Sequence, residues 1–252
     1  MNRYKTLIKY ELESLVKNGW ILGFALVLPC VLFLLISKSI KGEVPLNFQD
    51  SAVSGLFIGL STIIPLAGVF LGHSANYSKE YESGVPQRLH LFGISNKVLI
   101  TSKIISQLLF VIVAFIMYYV FAISVGLKFT NYNVLLVMLS LLIIQSLTEF
   151  LLAHSIVCLI KKFGACYAVT MILYFLFMIV SGNMGIRFKM LPEFLQFIGK
   201  NIIPFVSYND FNISLLNDKT PDFKVLLLSN LIFLSFGIIV FIVSRFRDKR
   251  AF

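Results

Sequence analysis

Charge is the scarcest commodity in this sequence: Asp, Glu, Lys and Arg make up 13% of 252 residues, against roughly 25% in an ordinary soluble domain. Acids are fewest, at twelve, so that the 22 Lys and Arg leave a net charge of +10. Three cysteines, Cys30, Cys158 and Cys166, fall in or beside apolar runs and make neither a metal-type spacing nor a disulfide framework. They read as small core residues. No GxxxxGK[ST] phosphate loop is present, since Gly199-Lys200 is followed by Asn201. HExxH, the GxSxG nucleophile elbow and a Cys/His ligand set are missing too, and His73, His90 and His154 are scattered. Enzyme readings therefore start weak, and any use of ATP requires a partner that binds it.

What is abundant is hydrocarbon. Hydrophobic residues make up 58% of the chain and the mean hydropathy is +0.88. A soluble fold could not hide this much apolar surface, and the apolar residues gather in runs close to the about 20 that a helix needs to cross about 30 Å of lipid. Six such runs are legible, at residues 20–37, 53–76, 104–126, 134–160, 165–181 and 225–243. The predicted fold class is an all-α polytopic membrane protein, with residues 1–252 forming a single transmembrane domain. The turn at residues 161–164 is short enough to force its two flanking helices into antiparallel contact.

Ahead of the first run, Tyr4, Leu7, Ile8, Leu12, Leu15 and Val16 repeat at helical spacing, with Lys5, Lys9, Glu11, Glu13 and Lys17 assigned to the other side. Residues 1–19 are thus predicted to form an amphipathic helix lying in the membrane interface. A secretory leader over residues 1–37 is the competing reading, because a basic segment precedes an apolar run and Ser37-Lys38-Ser39 is faintly like a cleavage site.

The basic residues explain themselves by topology rather than by nucleic acid. With the N-terminus inside, fourteen Lys and Arg fall on inner segments: Arg3, Lys5, Lys9, Lys17, Lys79, Arg88, Lys97, Lys103, Lys161, Lys162, Arg245, Arg247, Lys249 and Arg250. Eight fall on outer ones, Lys38, Lys41, Lys128, Arg187, Lys189, Lys200, Lys219 and Lys224. The positive-inside rule then places both termini in the cytoplasm of a cell whose plasma membrane holds the chain. No internal repeat is visible. Two longer segments lie between spans, residues 77–103 inside and 182–224 outside. The second contains 191-LPEFLQFIGKNIIPF-205, apolar but short and broken by Pro192 and Pro204, which predicts a helical hairpin dipping into the outer leaflet. It would either cap an exit route or seal the bundle against lipid. Asn212-Ile213-Ser214 fits a glycosylation acceptor, a tripeptide too common to weigh much.

The inner segment reads Tyr77-Ser-Lys-Glu-Tyr-Glu-Ser-Gly-Val-Pro-Gln-Arg-Leu-His-Leu-Phe-Gly-Ile-Ser95 and continues to Lys103. It resembles the ABC-2 family of exporter permeases, whose second and third spans are joined by acid-x-acid-x-Gly, then Leu, a small-residue turn, and a Lys at the next helix. Glu80, Glu82, Gly84, Leu89, Gly93, Ser95 and Lys103 match that form in order, with Val85-Pro86 as the departure. The N-terminal helix, six spans and broken outer segment are similar to that family as well. The resemblance implies a permease that pairs with a second permease subunit, identical or not. It implies docking on a separate ATP-binding subunit that carries ATP and Mg, no cofactor on this chain, and outward movement of a peptide, drug or lipid-like substrate.

Physically, a short charged helix held between two spans is a lever, which makes Glu80, Glu82, Gly84, Arg88 and Leu89 candidates for ATPase coupling. The alternative is that Glu80 and Glu82 are solvated loop charges. Inside the fourth run, Gln145, Ser146 and Glu149 share a helical face, and an ionisable group at mid-membrane should face protein or a wet cavity. These three are candidates for a translocation path or for an inter-helix hydrogen bond, with His154 as an imperfectly aligned partner for Glu149. Two other function classes remain beside the exporter: an intramembrane protease-like enzyme built on Glu149 and His154, and a non-transporting immunity-type membrane protein.

Overall fold

The computed structural model describes residues 3–128, 132–183, 188–216 and 222–249, and among these no strand occurs. Arg187, Lys219 and Arg250, used in the charge count, lie outside the described residues, as does part of the 182–224 segment. Helix α1 is Arg3–Lys17. Six helices long and apolar enough to cross a membrane follow: α2 (Gly19–Glu43), α3 (Leu46–Glu82), α5 (Asn96–Val125), α6 (Tyr132–Ile160), α7 (Phe163–Val180) and Phe223–Ser244 within α10 (Phe223–Lys249). Helix α4 (Val85–Leu91) joins α3 to α5, and α8 (Glu193–Asn201) and α9 (Pro204–Leu216) precede α10. The protein is an all-α polytopic membrane protein. We call the end of the bundle that carries α1 the near face.

Each boundary has a local cause. Asn18 leaves the helical region at φ −83°, ψ 97°, and its side-chain oxygen accepts from the Trp20 and Ile21 N–H groups, so α1 ends and α2 begins with its first donors satisfied. Its Nδ2 donates to Asn76 Oδ1 at 2.9 Å and pins the start of α2 to α3. Pro29 and Pro65 each lack an N–H, and each sits next to a π-helical stretch, Gly23–Val27 and Leu66–Leu71, where the backbone re-registers. Lys161, at φ 61°, turns the chain so tightly that α6 and α7 are separated by two residues.

Helix α3 is the axis of the bundle: 83% of its most apolar stretch is buried, against 22% for α2 and for α10. Gly68 makes that possible, because a Cβ there would stand 2.7 Å from the Phe110 ring of α5 and 3.5 Å from Ala25 of α2. Around it Phe33, Phe57 and Tyr118 form an aromatic knot, with Phe57 and Tyr118 stacked at 5.0 Å. The outward faces of α5 and α10 leave Val113, Ile116, Met117, Val120, Leu231, Phe236, Ile239 and Val243 exposed, a continuous apolar surface suited to lipid.

Two sequence readings shift. The third and second spans extend beyond their apolar runs, because residues 77–82 continue α3 and 96–103 open α5; Ser95 caps the latter, accepting from Val98 N at 3.4 Å. On α1, the buried positions are Leu7, Glu11 and Leu15, one turn apart, so Glu11 belongs to the packed face rather than the polar one. Tyr4 and Val16, expected on the apolar face, are exposed.

Candidate functional sites at the near face and at mid-depth

At the near face the chain reversal between α3 and α5 is built on Gly84, whose φ of +72° lies in the left-handed region that a side chain resists. The next turn starts at once, with Pro86 buried in the first turn of α4. Arg88 folds back to donate to the Ser83 carbonyl at 2.5 Å, and Leu89 is half-buried. The end of α4 is apolar and bare: Leu91 is 85% exposed and Phe92 78%.

The two acids of the motif part company, Glu80 half-buried and Glu82 exposed. Lys103 Nζ, 2% exposed, lies 2.7 Å from Glu80 Oε2 and 2.7 Å from Glu11 Oε1, and 5.2 Å from the Tyr77 ring centroid. One buried lysine thus joins α1, α3 and α5. Burial pushes the Glu11 carboxyl above its ordinary range, while the Lys103 charge pulls the other way. Two residues on, exposed Glu13 is held below the usual range by Lys17, its partner at 3.1 Å. Glu82 is exposed, and its Oε2 accepts from the Phe163 N–H at 2.9 Å, which caps the first turn of α7. Glu80 thus ties the end of α3 to α1 and α5, and Glu82 ties it to α7.

At mid-depth the backbone of α3 breaks at Thr62. Leu66 N–H bonds to Ile63 rather than to Thr62, and the Thr62 carbonyl instead accepts from Gln145 Nε2 of α6 at 3.2 Å. The same Nε2 donates to Glu149 Oε1 at 2.8 Å, and Gln145 and Glu149 are both fully buried. Asn183, just past α7, donates to Thr62 Oγ1 at 3.0 Å. Of the three sequence candidates, the fold joins Gln145 and Glu149; Ser146, although buried, spends its hydroxyl on the Leu142 carbonyl of its own helix at 2.7 Å.

Glu149 does not pair with His154. The two stand five positions apart, about 140° around the helix. His154 Nδ1 lies instead 3.3 Å from His73 Nε2, and Gln107 Nε2 3.1 Å from His73 Nδ1. This buried histidine pair, 81 residues apart in the chain, had no sequence signal, because each member is a lone polar residue in an apolar run. The Glu11–Lys103 contact was equally unread, although the four-residue steps from Leu7 to Glu11 to Leu15 carried the signal. Among the described residues no three of His, Cys, Asp and Glu converge as a metal site would require.

A family model described as "ABC-2 family transporter protein" matches residues 38–244, which takes in α3 to α9 and most of α10 and leaves α1 outside. No curated protein matches the chain.

Proposed function

Since this chain belongs to the ABC-2 transporter family, a membrane-spanning permease subunit of an ABC transporter, we propose that it forms the export path for an amphipathic peptide, drug or lipid-like molecule while a separate subunit binds ATP and Mg and hydrolyses the nucleotide. The observation that carries this reading is the family match over a six-span bundle whose sequence holds no phosphate loop. Both termini and the α4 lever are cytoplasmic in this reading, as the positive-inside rule requires, and the chain sits in the plasma membrane with a second permease subunit beside it. The hairpin of α8 and α9 then lies on the outer side.

Within the lever the residues divide their work. Leu91 and Phe92 offer the apolar tip on which an ATP-binding subunit docks, with Arg88 and Leu89 shaping the helix behind it. Gly84 sets the turn. Glu80 and Glu82 carry displacement of that tip inward, the first to α1 and α5 through Lys103 and the second to α7 through the Phe163 N–H. Gln145 and Glu149 give the path a polar station at mid-membrane, with Ser146 on the same helix face.

A second reading, an intramembrane enzyme, would need Glu149 and His154 together, and they face different ways. Reconstitution in vesicles with the ATP-binding subunit tests the proposal. ATP-dependent movement of a fluorescent amphipathic peptide or dye, abolished when the ATPase site of the partner is inactivated, is the expected result. ATP hydrolysis by the chain alone, or an intact complex that moves no member of a panel of such compounds, would overturn it.

A further inference from the structure

Hydrogen accounting at the α3 break leaves two oxygens over. Gln145 Nε2 carries two hydrogens and both are spent, one on the Thr62 carbonyl at 3.2 Å and one on Glu149 Oε1 at 2.8 Å. That fixes which way the amide faces. Gln145 Oε1 and Glu149 Oε2 are then both buried, and neither has a hydrogen-bond partner. They belong to two side chains one helical turn apart, and each sits on the same planar group as an atom of the bond those side chains already share. As two bare acceptors on one pair of side chains, they lack the single donor that would serve both.

No positive charge supplies it. Among the described residues no Lys, Arg or His forms an ion pair with Glu149. The buried basic groups on the helices packed against α6 are engaged elsewhere, Lys103 of α5 by Glu11 and Glu80 and the His73 ring of α3 by Gln107 and His154. Tyr174 of α7 and Tyr208 of α9 offer only phenols, and the second donates to Asn230. Residues 225–243 of α10 contain no titratable group. An ionised carboxylate taken out of water without a cation is so costly that such groups neutralise instead. We infer that Glu149 is a proton-binding site: a proton taken from water sits on Oε2 and is donated to Gln145 Oε1, so that acid and amide close on each other through two hydrogen bonds. The proton also fixes Gln145, since with its oxygen engaged the amide cannot turn Nε2 away from Thr62. Protonation of α6 is thereby linked to the bond that α6 makes at the α3 break.

The inference does not depend on export, since it concerns the chain itself. Infrared spectra of the purified full-length chain at neutral pH are to be compared with those of Glu149→Gln. The C=O stretch of a neutral carboxylic acid stands apart from the carboxylate bands. Wild type should therefore show an acid band that Glu149→Gln lacks and that Glu11→Gln, the control for the other buried carboxyl, keeps. Unfolding across pH gives a second reading. Above the ordinary carboxylate range the native chain holds one proton that the unfolded chain has released, so wild type should lose stability relative to Glu149→Gln as pH rises, by about tenfold in the folding constant per pH unit. The histidines titrate alike in both variants and drop out of that difference. Loss of carboxylate rather than acid intensity in Glu149→Gln, or parallel stability curves, would overturn the site. So would a Glu149→Gln chain that fails to fold, because the amide takes the place of a neutral acid and not of a charge.

Discussion

The near face and the middle of the bundle each bury an ionisable side chain, and they treat it in opposite ways. Lys103 is saturated: two carboxylates lie at 2.7 Å, one from α1 and one from α3, and a tyrosine ring lies alongside. Glu149 is half served, with one oxygen bonded to Gln145 and the other facing no donor. A saturated ion is a joint, because moving any partner exposes charge that the others cannot neutralise. A half-served one is an open valence. The first fastens three helices to one another, and the second leaves an acceptor unmet inside the bundle.

The contrast can be broken from the joint side with the largest effect. Lys103→Met leaves Glu11 and Glu80 buried against one another, and removal of one partner from a buried ion pair costs about 3–5 kcal/mol. A lowered midpoint of thermal unfolding and faster proteolysis within α1 are expected, with partial recovery in Glu11→Gln/Glu80→Gln/Lys103→Met. Unchanged melting would show that the triad carries no weight.

A smaller loss is expected at mid-depth. Gln145→Ala removes the donor from both the Thr62 carbonyl and Glu149 Oε1, and stranding buried acceptors costs about 1–3 kcal/mol. Hydrogen exchange at the amides around Thr62 should accelerate while the near face stays protected. Equal acceleration at both ends would mean that the two regions are not separate.

The finest test lies within α1. Glu11 and Glu13 are two residues apart, one buried on Lys103 and the other exposed between Lys9 and Lys17. Glu11→Ala should loosen α1 from α5, read as loss of a disulfide cross-link between cysteines placed at Ile8 and Ser106, whose backbone carbonyl and hydroxyl lie 3.1 Å apart. Glu13→Ala should leave cross-linking unchanged. Equal loss in both variants would remove the distinction between joint and surface pair.

The six spans were legible because lipid demands long apolar runs, and a run survives in one dimension. Their ends were not, since residues 77–82 and 96–103 are polar and still helical; what holds them is Lys103, a residue that pairs with partners 23 and 92 positions away. Gln145 and Glu149 were legible as a pair because four positions on a helix are neighbours. Their third partner, the Thr62 carbonyl, was not, because it exists as a free acceptor only where α3 breaks. Glu80 and Glu82 were read as an outward docking surface on the strength of a charged motif. The fold ties Glu80 to Lys103 and leaves Glu82 exposed beside the start of α7, and next to them it bares Leu91 and Phe92, which the sequence shows as two more hydrophobic residues among many.

The most direct test of the permease account is copurification of the chain with its ATP-binding subunit, comparing wild type with Leu91→Ser/Phe92→Ser and Glu149→Gln. Both substitutions at the tip replace exposed side chains, so the variant should insert and melt as wild type does. The account predicts a stable complex with wild type and with Glu149→Gln, and loss of the ATP-binding subunit from the tip variant. Full retention of the ATP-binding subunit by the tip variant, or no complex with wild type, would contradict it.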